Sequence, residues 1–350
     1  MCIEEKIKTF GGKVTELINK KCLARQEVKE MFSQVLLNEQ PELQQGAFLA
    51  ALVAKGETLD EIAGTWEAIY EFDTVKAKPT VPQPLVENCG TGMDGLKTFN
   101  ISTAASIVAA AGGVFMAKHG ARAITSRCGA VDILEAVGVD VECEAEIVKK
   151  SIERAGIGIF NGMSPNIHPA LARILSQIRF GTTLNIAASL ANPALPRYGV
   201  RGVYAKELVE PVAQIMKEIG YKRAIVVHGL DEDEGQGMDE ASINGESIIA
   251  ELEDGKVTTY KINPEDFGIR RANYQEIMAS SLEEEVKRFL ALLSGKEDGA
   301  RQEIVCLNAA LVFYLFDKDK DLKKNYIKAK EILGSGQAMF KLKQWVKEQN

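Results

Sequence analysis

The chain has 350 residues, 46% hydrophobic and 26% charged, enough to bury a full core as one large domain or two ordinary ones. A formal net charge of −7 and a pI near 5.4 leave no overall basic field, so broad affinity for nucleic acid or acidic membranes would require a local patch, and a small-molecule substrate fits better. Six scattered cysteines (Cys2, Cys22, Cys89, Cys128, Cys143, Cys306) form no C-x-x-C pair, which suits free thiols, and no window reaches the roughly 18 to 20 apolar residues of a membrane span; a cytoplasmic protein is expected.

From Ile3 to about Phe72 the pattern is helical. Residues 24–37, 42–55 and 58–72 place apolar side chains at three- and four-residue spacings between short polar turns. Residues 74–84 then carry three prolines, cannot continue a helix and read as a linker or hinge. From Leu85 short apolar strands alternate with helical stretches: 84–89, a Gly-rich turn, 101–113, 114–120, 131–138, 146–156 and 156–160. Such alternation implies parallel β-α units, whose ligands sit at the carboxyl ends of the strands. Residues 168–181 read as a helix that packs back onto the N-terminal bundle. The alternation resumes with a helix at 207–220, a strand at 223–229, a two-strand reading around Asp254-Gly255, and helices to the end. The expected organisation is a small helical domain, 1–73 joined by 166–190, and a large α/β domain, 74–165 with 191–350, built on a mainly parallel sheet.

Three clusters carry chemistry. Cys89-Gly90-Thr91-Gly92-Met93-Asp94-Gly95 follows a strand and precedes Asn100-Ile101-Ser102-Thr103, which opens an Ala-rich helix. Glycines let backbone amides approach an anion, and the helix N-terminus adds unpaired N–H groups and its dipole. A plain strand-to-helix turn, with Ser102 or Thr103 as an N-cap, accounts for the same residues. Lys118-His119-Gly120-Ala121-Arg122 follows the next strand, with Thr125-Ser126-Arg127 close behind; Lys118, Arg122 and Arg127 could converge on phosphate oxygens, or form a solvated basic loop. Asp239-Glu240 lies in a Gly-flanked loop after the acidic run Asp231–Glu234. The pair has the hard oxygens that Mg²⁺ shares with substrate phosphates, and a solvated loop remains the alternative for the pair taken alone.

In this order the clusters resemble the anthranilate phosphoribosyltransferase family, and the resemblance covers essentially the whole chain: CGTGMDG, FNIST, KHGAR, VDILEAVGV, HPAL, LANP, GMDEASINGES, EDFGI and LNAALVFYLF all have counterparts in order. The resemblance implies the two-domain plan, hinges between the domains, and a homodimer formed through the helical domains. It implies a donor site for phosphoribosyl diphosphate made by Gly90, Thr91, Gly92, Asp94, Gly95, Asn100, Ser102, Thr103 and Lys118. Mg²⁺ would be held by Asp239 and Glu240 with Ser102. A small aromatic amine would meet His119, Gly120, His168 and Arg179. No catalytic nucleophile is required, because positioning and preorganised electrostatics supply the rate.

The match departs from the family mainly on the acceptor side. Ala121 stands where the family has asparagine in KHGNR, Ala130 where it has serine in GSAD, and Met93 where the loop has glycine. A shorter stretch between His168 and Asn185 makes Arg179 the nearest counterpart of the arginine that pairs with the anthranilate carboxylate. A site that loses hydrogen-bonding groups changes its preference, so anthranilate stands beside another aromatic or heterocyclic acceptor. Two other readings stay open. A nucleoside phosphorylase shares the two-domain plan, and a nucleic-acid-binding relative would need a basic groove, whereas Lys149, Lys150, Arg154 and Arg173 are dispersed here.

Overall fold

The structure, a computed structural model, describes residues 3–92, 95–122, 128–178, 180–231 and 235–349. The chain divides into two compact units, Met1–Lys76 with Gly162–Pro193, and Ala77–Asn161 with Ala194–Asn350.

The first unit holds α1 (Ile3–Ile18), α2 (Arg25–Leu36), α3 (Glu42–Lys55) and α4 (Leu59–Phe72). Their apolar spacings converge on a core of Phe10, Phe32, Phe48, Leu52 and Ile69. Thr58 caps α4, accepting from the Glu61 amide while Glu61 reaches back to the Thr58 amide, a reciprocal arrangement readable in the sequence. The second segment of this unit adds a helix at Pro169–Gln177 and a short one at Leu184–Ala187. Asp73 accepts from the amides of Ala170 and Leu171 at 2.5 and 3.0 Å, and the Trp66 indole donates to the Leu190 carbonyl. The helix expected over 168–181 ends at Gln177, because Ile178 is already extended.

In the second unit, β1 (Val86–Gly90), α5 (Ile101–Ala111), β2 (Met116–Gly120), α6 (Ala130–Ala136), α7 (Ala145–Ala155) and β3 (Ile157–Asn161) follow in order; the two helices of the first unit are α8 and α9. Then come β4 (Tyr198–Gly202), α10 (Val209–Glu218), β5 (Arg223–Asp231), β6 (Gln236–Met238), β7 (Ser247–Glu253), β8 (Lys256–Ile262), α11 (Tyr274–Ile277), α12 (Leu282–Leu293), α13 (Ala300–Tyr314), α14 (Leu322–Gly334) and α15 (Gln337–Gln349). The sheet runs β3-β2-β1-β4-β5-β7-β8, with β6 pairing β5. Strands β3 to β5 are parallel, and β6, β7 and β8 pair antiparallel, so the architecture is the mainly parallel α/β plan expected.

Two strands escape the periodicity reading. β4 is Tyr-Gly-Val-Arg-Gly, whose single strongly apolar residue hides a buried strand. Its Arg201 is buried because Glu87 on β1 pairs with it at 2.7 Å, and the Tyr221 hydroxyl donates to the same carboxylate. β6 lies within the stretch read as a Gly-flanked loop. Burying Arg201 leaves a paired charge in the core, which breaking either partner would strand at high cost.

Candidate donor and metal site

The strand order places β1 and β4 side by side although they are not consecutive. The chain runs outward from β1 through β2 to β3, then returns to lay β4 on the other flank of β1. That reversal is a topological switch point, and open α/β sheets bind ligands in the crevice beyond its strand ends. In register, Gly90 pairs with Gly202 and Gly202 with Val227, so β1 and β4 end level while β5 runs four residues further, to Asp231.

Asp239 and Glu240 follow β6 and sit against these ends. A side chain on Gly90 would overlap the Asp239 carboxylate, one on Gly202 the Asp239 carbonyl oxygen, and one on Gly229 the Glu240 carbonyl oxygen. Three glycines on three adjacent strands therefore let the acidic pair approach the sheet. Gly202 and Gly229 carry no motif of their own; the sequence offers a clue only for Gly229, a glycine near the end of the apolar strand β5. The pair is largely buried, and Asp239 Oδ2 accepts the Gly92 amide at 2.7 Å. Gly92 has φ +66°, a conformation natural to glycine. The Thr91 amide donates to the Gly202 carbonyl, extending the β1–β4 ladder one residue.

The N-cap of α5 is Asn100, not Ser102 or Thr103, and its side chain makes no cap; its amide reaches the Cys128 carbonyl at 3.4 Å. Ser102 lies in the first turn, where its carbonyl accepts from Asn88 and Ser106. Thr103 is fully buried and its hydroxyl has no hydrogen-bond partner among the described residues, a cost normally offset by a water or a ligand. Lys118 is buried beneath the loop, with Nζ donating to the Asn88 carbonyl at 2.8 Å. Burial lowers its pKa below the ordinary 10.5, opposed by the nearby Glu87 carboxylate. Asn88 thus joins the lysine of β2 to the first turns of α5. Gly95 is exposed.

His119 is buried and Gly120 half-buried in the α/β unit. A side chain on Gly120 would meet the Ala130 methyl at 3.3 Å, so a small residue at 130 leaves room for the β2 turn. Arg122 does not converge on a phosphate position. Its guanidinium is taken up by Glu135 at 2.7 Å, Glu142 at 3.0 Å and Asp132 at 3.3 Å. His168 belongs to the helical unit, is fully buried, and sits 3.8 Å from Asp73 and 3.4 Å from the Thr74 hydroxyl. Asp94, Arg127 and Arg179 lie outside the described residues.

Among the described residues no group of three or more His, Cys, Asp or Glu could hold a metal by itself. Two carboxylates beside an anion-seeking loop fit Mg²⁺, which prefers oxygen and completes its shell with substrate phosphates and water. A switch-point crevice with a Gly-rich loop, an open helix N-terminus and an acidic pair has the parts that a transferase for phosphorylated sugars needs. Family models agree with that class: residues 82–339 match the glycosyl transferase family a/b domain and residues 14–72 the helical bundle domain of the same family.

The anthranilate phosphoribosyltransferase of Desulfosudis oleivorans is 37% identical over 342 residues, covering 96% of this chain and 98% of that protein. The crystal structure of the Thermus thermophilus anthranilate phosphoribosyltransferase matches with a TM-score of 0.86 at 34% identity, covering 96% of this chain and 98% of that one. The Saccharomyces cerevisiae enzyme in complex with PRPP and Mg shares the fold, with a TM-score of 0.85 at 23% identity and 98% of each chain covered. The chain belongs to the anthranilate phosphoribosyltransferase family.

Proposed function

We propose that this chain is a Mg²⁺-dependent pentosyltransferase of tryptophan biosynthesis that moves the phosphoribosyl group of phosphoribosyl diphosphate to the amino group of anthranilate, releasing diphosphate. Its relatives carry that activity in their names. The observation that carries the reading is the Gly92 amide donating to the Asp239 carboxylate at the β1/β4 switch point, which sets the Gly-rich loop directly against the acidic pair.

In this reading Gly90, Thr91, Gly92, Asp94 and Gly95 cradle the diphosphate, and the open first turn of α5, with Asn100, Ser102 and Thr103, adds amides and hydroxyls. Asp239 and Glu240, with Ser102, hold Mg²⁺, which when bound neutralises charge gathering on the leaving diphosphate. The bond from ribose C1 to the diphosphate oxygen breaks with its electron pair going to diphosphate, while the anthranilate nitrogen forms the new bond to C1 and gives up a proton. The chain's residues orient both partners and stabilise the departing charge; none is asked to form a covalent intermediate. His119 and Gly120, at the end of β2, are assigned to the acceptor. A homodimer through the helical unit follows from the family resemblance alone, and the free thiols of Cys22, Cys89, Cys128, Cys143 and Cys306 support a cytoplasmic setting.

The test is diphosphate release with phosphoribosyl diphosphate, Mg²⁺ and anthranilate, followed together with anthranilate fluorescence. Turnover that needs all three is expected. Donor binding by calorimetry without turnover would retain the donor site and reject anthranilate, pointing to Ala121 and Ala130 as the residues that changed the acceptor.

Lys118 sets the alkaline limb of this activity. Its folded pKa is lowered, so it loses the charge that holds the donor at a pH below 10.5, and donor KM should climb before an ordinary lysine would titrate. The sign for stability is opposite: the fold disfavours the protonated lysine, so this group's contribution improves as pH rises from the folded pKa towards the unfolded one. Donor KM measured against pH, in wild type and Lys118→Arg, checks this. A wild-type profile with no alkaline rise up to pH 10.5 would rule it out.

A further inference from the structure

Helix α13 carries two buried polar side chains, Arg301 and Asn308, seven positions apart (301 to 308), which is two turns or about 10 Å along the axis. Neither belongs to the site described above. Each is tied to one half of it.

Arg301 grips Glu285 with two hydrogen bonds of 2.8 Å, donates to the Met278 carbonyl at 2.8 Å, and lies 4.4 Å from the centre of the Phe99 ring. The strip containing Met278 is stitched to the residues just before α5. Thr98 bridges Met278, the Phe99 amide donates to the Ile277 carbonyl, and the Ala279 amide donates to the Lys97 carbonyl. The Lys97 amide in turn donates to the Tyr274 hydroxyl. Arg301 therefore anchors the backbone that leads into Asn100, Ser102 and Thr103.

Asn308 reads both backbone groups of Ala241, the residue directly after the acidic pair. Its Oδ1 accepts from the Ala241 amide and its Nδ2 donates to the Ala241 carbonyl, each at 2.9 Å, with a further bond to the Ile304 carbonyl at 2.8 Å. Both N–H donors and one lone pair of the oxygen are used, so three of the four hydrogen-bonding functions of that buried amide are satisfied. The turn it holds is otherwise fixed by Ser242, whose hydroxyl donates to the Leu230 carbonyl and accepts from the amides of Asn244 and Gly245.

We infer that α13 is the alignment element of the donor site: Arg301 sets the entry to α5 and Asn308 sets the Asp239-Glu240 pair, so one stiff helix holds the distance between the diphosphate turn and the metal carboxylates. Both are positioning residues for phosphoribosyl transfer, and the inference rests on the donor-site reading above. Loops held only by their own turns drift, whereas a side chain fixed on a packed helix transmits its register, and a displacement near 1 Å costs up to about 100-fold in rate.

The test compares full-length wild type with Arg301→Lys and Asn308→Asp, reading donor KM at saturating Mg²⁺, the Mg²⁺ concentration for half-maximal turnover, and Tm. Asn308→Asp keeps the acceptor and loses both donated bonds; it is expected to raise the half-saturating Mg²⁺ about 10-fold or more. Arg301→Lys keeps the charge and loses the fork; it is expected to raise donor KM roughly 10-fold with the metal requirement little changed. A role confined to stability would lower Tm and scale kcat with the folded fraction while leaving both constants at wild-type values, and that result overturns the inference. Asn308→Ser replaces the aspartate variant if the latter does not fold, with the same two outcomes.

Mn²⁺ binding in the presence of inorganic diphosphate, read by water-proton relaxation, separates this inference from the activity itself. If wild type shows no transfer to anthranilate but binds Mn²⁺, the acceptor assignment falls. The inference then stands on weaker Mn²⁺ binding by Asn308→Asp and falls on unchanged binding. Wild type that binds no Mn²⁺ overturns both.

Discussion

Asp239→Asn should lower kcat/KM for phosphoribosyl transfer by roughly 100-fold or more, while the protein stays folded. The asparagine is nearly isosteric and its carbonyl oxygen can still accept the Gly92 amide that Asp239 Oδ2 accepts at 2.7 Å, so the loop keeps its anchor. What disappears is the negative charge beside Glu240 that attracts the cation. Because the change removes a charge and strands none, Tm should move little, consistent with about 1 kcal/mol or less. Asp239→Ala adds a second defect by releasing the Gly92 amide, and should be worse in donor KM as well as in metal requirement. A Mg²⁺ titration of both variants decides the matter. Activity of the asparagine variant within about threefold of wild type at saturating Mg²⁺ would take the acidic pair out of the metal site.

Gly202→Ala is the second large effect, and it acts through backbone. The added methyl would overlap the Asp239 carbonyl oxygen and come within 3.0 Å of the Asp239 Cβ. No rotamer change relieves a clash with main chain, so either the end of β4 or the turn carrying the acidic pair must shift. Overpacking of this kind costs about 1–3 kcal/mol, and the displaced carboxylates should cost up to about 100-fold in turnover. Gly90→Ala meets the same aspartate differently, overlapping its carboxylate, which can swing aside at the expense of the Gly92 bond. It should therefore lose less Tm than Gly202→Ala while still weakening Mg²⁺ activation. Thermal melts and Mg²⁺ half-saturation for the pair test the distinction; equal Tm losses would mean that the carbonyl contact is not the limiting one.

Much of the plan was legible in the sequence because its determinants are local. Helical spacing placed α3 over Glu42–Lys55 without error and α4 over 58–72, one residue early because Thr58 is its N-cap, and Asp254-Gly255, both left-handed at φ +48° and +72°, turn β7 into β8 as read. The Gly-rich turn after β1, the open N-terminus of α5 and the acidic pair were found as residue types, each with a plain alternative that the chain alone could not dismiss. Tertiary structure decided how they meet. β4 went unseen because periodicity counts apolar residues, and a strand that buries Arg201 against Glu87 does not look apolar. Arg122 looked available for phosphate until Glu135, Glu142 and Asp132, brought close by folding, took its guanidinium. The glycines that admit Asp239 and Glu240 lie on three strands separated in sequence and made neighbours only by the sheet. The two anchors on α13 act across 67 residues, from Asn308 to Ala241, and 23 residues, from Arg301 to Met278. Propensity and caps are set by neighbours within a few positions, so sequence determines them. Which strand ends meet at a switch point is a property of the packed chain, so only the fold could place the site.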